Sequence, residues 1–181
     1  MTQPIASPAL ATHDLTLMDV VERLRNRFFG KYRGSVTEVE QGGRGRIKAK
    51  VPAVLGDQVT GWCDPCVPYA GDQVGFAFLP EVCSGVWIEF EGGDVSYPIW
   101  VGAYWRDGEL PSDAAAAKKL IQTKAGHKIV FDDDAGSVTV TDANSNTVTL
   151  DSAGIALARS SGKLEVTESK VSVNSGALEV E

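Results

Sequence analysis

Few residues in this chain have both the type and the spacing to do chemistry. Cys63-x-x-Cys66 has the spacing of a zinc or redox pair, whose thiolates ligate metal or attack disulfides. A structural zinc site needs a full tetrahedral set, and the other candidates are only Cys83 and the distant His13 and His127. A CxxC between Trp62 and Pro65 with no second pair is therefore expected to be two small buried thiols. Glu89, Glu91 and Asp94 are of the type used in acid–base catalysis. Strand alternation, however, puts Glu89 and Glu91 on one outward face, and Asp94 follows Gly92-Gly93 as a turn residue. No Ser/His/Asp grouping, phosphate-cradling glycine loop or nucleotide fingerprint is present. The expectation is a chain that is not an enzyme, with no catalytic residue, metal or cofactor.

The elements around these residues fall into two unlike parts. Of 181 residues, thirteen of the 14 aromatics and all eight prolines lie at or before Pro111. Residues 112–181 carry 15 Ser and Thr, five glycines and many Val and Leu, a composition for β-structure with thin aliphatic packing. The domains are expected at 1–29 (tail and docking helix), 30–106 (barrel), 107–123 (linker or short helical turn) and 124–181 (repeat). No apolar run approaches the ~20 residues of a membrane span, and MTQPIASPALATHD lacks the build of a secretory signal. A soluble chain made in the cytoplasm is expected.

Leu17, Val20, Val21, Leu24 and Phe28 fall on one face of a helix that Gly30 would end. Beyond it, KYRGSVTEVE, GRIKAKVP, GDQVGFAFLP, GVWIEFEGG and YPIWVGAYW read as five short strands. In the fourth, Val86, Ile88 and Phe90 point one way and Trp87, Glu89 and Glu91 the other. Five such strands in this length suit a small closed barrel of OB type.

From Ile129 an apolar–x–apolar unit recurs seven times: Ile129/Phe131, Val138/Val140, Val148/Leu150, Ile155/Leu157, Leu164/Val166, Val171/Val173 and Leu178/Val180. Turns of Asp, Asn, Ser or Gly separate the units. Two aliphatic side chains per short strand cannot cover themselves, and each contributes only about 1.5–3 kcal/mol when fully buried, against roughly 1–2 kcal/mol of backbone ordering per residue. Three chains around an axis would cover each other's faces and let strands pair between chains, so a homotrimer with these fourteen residues as its core is expected. The plainer alternatives are a β-meander or a single-chain solenoid, although a solenoid coil normally needs longer repeats.

Nucleic acid is the rival function. OB barrels bind single strands with aromatic platforms, and Trp62, Tyr69, Phe76, Phe78, Trp87, Trp100 and Trp105 are present, with nine basic residues between Arg23 and Lys50. Against it, residues 1–110 carry 10 basic and 14 acidic residues and the whole chain has a net charge of −7. No nucleic-acid partner is expected; an OB-type binding module with a β-rich oligomerising tail is the alternative function.

KYRGSVTEVEQGGRGRIKAKVPAVLGD, GWCDPCVPYAG, GVWIEFEGGDVSYPIWVGAYW and TKAGHKIVFDD, in that order, resemble the OB fold and first β-helix residues of phage baseplate assembly protein V. That central-spike family is shared with VgrG proteins of type VI secretion and with contractile injection systems. The resemblance implies an all-β homotrimer: a short N-terminal helix, a five-stranded OB barrel and a C-terminal intertwined triple-stranded β-helix needle. It also implies a structural role in the baseplate of a phage tail or injection particle made in the bacterial cytoplasm. There the spike sits on a trimeric hub and is driven through the target envelope, which it meets only transiently, when a sheath contracts.

Some relatives carry a lysozyme domain between barrel and needle, for which the segment from Trp105 to Lys124 leaves no room. Others end in an iron-binding histidine pair, which His13 and His127 cannot supply. The helix residues Leu17, Val20, Val21, Leu24 and Phe28 are the expected hub-docking surface, with the hub a separate chain. The basic stretch Arg23 to Lys50 and the acidic strand Glu89 to Asp94 are expected contacts between barrels or with the hub. The last repeat, at Leu178 and Val180, looks half complete, and a PAAR-like tip protein is expected to cap it.

Overall fold

The computed structural model describes residues 17–22 and 24–180; His13, Arg23 and the tail at 1–16 lie outside the described residues. The chain divides into two compact units at Gly108/Glu109. Both are built from β-strands, and the chain is all-β apart from short helical turns. Among the described residues no helix is long and apolar enough to cross a membrane.

The first unit curls five strands around one core. Strands β1 (Tyr32–Val39), β2 (Ile47–Lys50), β3 (Asp64–Pro65), β6 (Gly85–Phe90) and β7 (Pro98–Tyr104) form a sheet in the order β2-β1-β6-β7-β3. Period-two alternation selects the inward set: Val36, Ile47, Ala49, Val86, Ile88 and Trp100 are buried, with Val51, Cys63 and Phe90. The register slips once between β1 and β2 and once between β6 and β7, at Trp87/Ile88. Such bulges raise local twist and bend a strand, which is how so short a sheet turns inward. Closure comes from the segment before β3: Cys63 and Ile47 exchange backbone hydrogen bonds of 2.8 and 3.3 Å, while the Cys66 N–H donates to the Trp100 carbonyl at 2.8 Å. The two sheet edges are thus joined through one stretch of chain. Gly34 lets β1 approach closely, since a Cβ there would sit 3.2 Å from the Ile88 side chain.

Two expectations about this unit need correcting. GDQVGFAFLP is not a barrel strand. Its only strands are the two-residue β4 (Ala70–Gly71) and β5 (Val74–Gly75), which pair with each other outside the main sheet. The place expected for it is taken by Asp64–Pro65, because the stretch from Val59 to Pro65 bonds to β2 on one side and β7 on the other. The leading helix is also shorter than expected. Residues 17–22 and 24–25 are helical, but Phe28 has left the helix and its N–H donates to the Gly93 carbonyl at 2.8 Å. Its ring packs edge-on against Tyr32 and Phe90, so the aromatic residue at the end of the helical stripe belongs to the barrel.

The second unit is one antiparallel meander. Strands β8 (Lys118–Gln122), β9 (Lys128–Asp132), β10 (Ser137–Thr141), β11 (Thr147–Asp151), β12 (Gly154–Arg159), β13 (Gly162–Val166), β14 (Val171–Val173) and β15 (Leu178–Val180) lie side by side in chain order. Residues 118–122, in the stretch expected as connector, therefore form a strand paired along its length with β9. Every ladder joins sequence neighbours within one chain. Polar side chains shape the turns: the Asp142 carboxylate accepts the N–H groups of Asn144 and Asn146, both at 2.8 Å, and that of Asp151 accepts Ala153 N–H at 2.8 Å. Gly154, at φ +140°, is required where β12 passes β13, because a Cβ there would lie 2.1 Å from the Val166 carbonyl oxygen.

All four tryptophans precede residue 108, so indole fluorescence reports the barrel. Ile88→Ala is expected to lower barrel stability by about 2–5 kcal/mol in urea titrations, and Glu89→Ala by less than about 1 kcal/mol. The Glu40 carboxyl is held down to about 2 from 4.5, first by its hydrogen bond from the Arg46 side chain. A depressed carboxyl stabilises fully above its unfolded value and loses that contribution as pH falls through the folded one. Glu40→Gln should therefore flatten the pH dependence of the fluorescence-monitored urea midpoint between pH 4.5 and 2; an unchanged slope would show that Glu40 contributes nothing.

Candidate functional site

The feature that sets this chain apart is one face of the C-terminal sheet. Pairing brings the apolar residues of successive strands opposite one another in two rows. One runs Ile121, Ile129, Val140, Val148, Leu157, Leu164, Val173, Leu178, without interruption from β8 to β15. The other runs Lys119, Phe131, Val138, Leu150, Ile155, Val166, Val171, Val180 in the same order. At a strand spacing of ~4.8 Å, each row extends about 34 Å across seven ladders.

The opposite face carries Val130, Thr139, Thr149, Ala156, Glu165 and Ser172, which is mainly small and polar. A one-residue slip in any ladder would break both rows, so the pattern fixes the register.

These rows are not covered within the chain. Ile121, Phe131, Val140, Leu150, Ile155, Leu157, Val166, Val171, Leu178 and Val180 are 36–61% exposed, and the other row members are half-buried at most. Soluble chains rarely leave so large a continuous apolar patch open to water without a partner for it. All fourteen expected residues lie on this face. Ile121 was missed because its strand begins with Lys119 where the repeat has an aliphatic residue.

The other candidates are dispersed. Cys63 is buried, and burial pushes its thiol up to about 11, the opposite of an activated nucleophile. Cys66 is exposed, which corrects the expectation of two buried thiols: alternation past Asp64 and Pro65 turns its side chain outward. Among the described residues no group of His, Cys, Asp and Glu is arranged to hold a metal ion. Asp94 closes its turn, accepting the Ser96 N–H at 3.0 Å.

The basic stretch and the acidic strand meet each other inside the chain. Arg27 pairs with Asp94 at 3.1 Å and Lys31 with Glu89 at 2.5 Å, while Arg46, Lys48 and Lys50 pair with Glu40, Glu38 and Asp57. Trp100 is buried, Trp87 lies under Arg33 and beside Tyr104, and Trp62 is covered by Arg46 and Lys48. On the leading helix Leu17, Val20, Val21 and Leu24 are exposed.

The sequence divides among known families where the structure divides. Residues 32–105, the span from β1 to the end of β7, match the type VI secretion system/phage-baseplate injector OB domain. Residues 118–179, starting at the first residue of β8, match the phage baseplate V C-terminal trimerisation domain. No curated protein matches the chain. With an injector barrel followed directly by a trimerisation sheet whose apolar face is open, the chain belongs to the phage baseplate V family of spike-type proteins.

Proposed function

We propose that three copies of this chain form the central spike of a contractile tail or injection-system baseplate. The observation that carries the reading is the pair of apolar rows, both unbroken from β9 to β15. Each copy's open face is covered by the other two, with Ile129, Phe131, Val138, Val140, Val148, Leu150, Ile155, Leu157, Leu164, Val166, Val171, Val173, Leu178 and Val180, joined by Ile121, as the core. Burying that many aliphatic side chains at about 1.5–3 kcal/mol each is ample to hold three chains together. The role is mechanical and not enzymatic. A body that pierces an envelope on sheath contraction must keep its strands paired under load, and inner strands bonded on both sides meet that requirement.

The exposed Leu17, Val20, Val21 and Leu24 are the surface that docks on a trimeric hub protein, with Phe28 fixing the start of the helix's connection to the barrel. In the C-terminal unit, β15 is an edge strand of the described sheet and carries exposed Leu178 and Val180, which a PAAR-like tip protein would cover. The working place of the assembly is the baseplate, and its contact with the target envelope is transient.

Light scattering of the full chain should give about three times 19.2 kDa. Val148→Asp, which would place three carboxylates in the shared core, is expected to abolish the trimer, whereas Thr149→Asp on the opposite face retains it. Equal loss in both variants, or a monomeric parent chain at micromolar concentration, would overturn the reading.

A further inference from the structure

The barrel unit carries a second apolar surface that its core does not use. Between Val67 and Val82 the chain leaves the barrel as an arm closed by the β4–β5 hairpin. Tyr69, Val74, Phe76, Phe78, Leu79 and Val82 on this arm are 43–60% exposed. Phe76 and Phe78, two residues apart in extended chain, present their rings to the same side and stack at 6.1 Å. The only charges on the arm are those of Asp72 and Glu81.

At the foot of the arm lies a groove of about 460 Å³ whose walls include Trp62, Pro65, Val67, Tyr97 and Ile99. Asp64 and Glu91 also line it, and the Lys48 ammonium and Arg46 guanidinium, 4.5 and 5.6 Å from the Trp62 ring centroid, are already paired with Glu38 and Glu40.

Arm and groove are different surfaces of one barrel, and a contact between unlike surfaces closes on itself when copies are arranged in a ring. Resting on the trimer reading, we propose that the arm of each copy lies in the foot groove of the next barrel around the three-fold axis. Phe76 and Phe78 lie against Trp62 and Tyr97.

Two further observations select a second copy as the occupant. The C-terminal unit matches a trimerisation domain, and only 13 residues separate Tyr104 from Lys118, a reach of at most about 45 Å. Barrels tethered at that range meet at roughly millimolar effective concentration, enough to populate a contact too weak to form between free barrels.

The test uses the full chain with photoreactive benzoylphenylalanine in place of Phe78, co-folded from isotopically labelled and unlabelled copies. Irradiation should give covalent dimers and trimers of mixed isotope content, with the probe joined to peptides containing Trp62 or Tyr97 of another copy. The yield should be unchanged on about hundredfold dilution and fall about tenfold when Tyr97→Ser is added. A chain that is trimeric by light scattering but gives no inter-chain product, or products outside the groove, overturns this contact and leaves the trimer reading intact. In the first case the arm is free for a different protein. A chain that is monomeric overturns both.

Discussion

A β-sheet one strand layer thick cannot bury its own apolar face, and both halves of this chain are organised around that constraint. The barrel solves it by curvature. Bulges in β1 and β7 bend the sheet until Val36, Ile88 and Trp100 face one another, and the stretch from Val59 to Pro65 joins the two edges. The C-terminal meander has no register shift in any of its ladders and no second layer, so its aliphatic rows stay open. The burial that the first half obtains by curling on itself, the second can obtain only from other chains.

Electrostatics has a smaller part than composition suggests. Arg27, Lys31, Arg46, Lys48 and Lys50 each have an acidic partner in the same unit, most of them at the surface, where such pairs contribute little to stability. The stretch that looks like a basic surface in the sequence is largely neutralised where it lies. The exposed apolar surface of this chain lies mainly in the C-terminal rows, the leading helix and the arm of Phe76 and Phe78.

The repeat was legible because a period of two is a direct image of which side chains share a face. The same rule named Val86, Ile88 and Phe90 as core. It failed where the pattern is shared by unlike environments. The alternation in VGFAF reads as a buried strand, yet Phe76 and Phe78 stack on each other in solvent. The strand that takes its place, Asp64–Pro65, is two residues long and ends in proline, so no periodicity could mark it. Phe28 sits at a helical spacing from Leu24 by coincidence, and its partner Phe90 is remote in sequence. Strand β8 was hidden by a lysine at the position the repeat reserves for an aliphatic residue. Within the chain, the ladders of the meander join strands that are neighbours in sequence.

That in-chain pairing gives the sheet a direction. Because consecutive strands are bonded side by side, their seven ladders lie in series along the rows, and the strands run across them. A push along the rows presses each ladder onto the next and is transmitted through all of them. A pull in the opposite sense passes equally through every ladder and opens the weakest first, β13 with β14 or β14 with β15, at three residue pairs each. The unit is therefore a strut and not a cable: along its rows it resists compression better than tension.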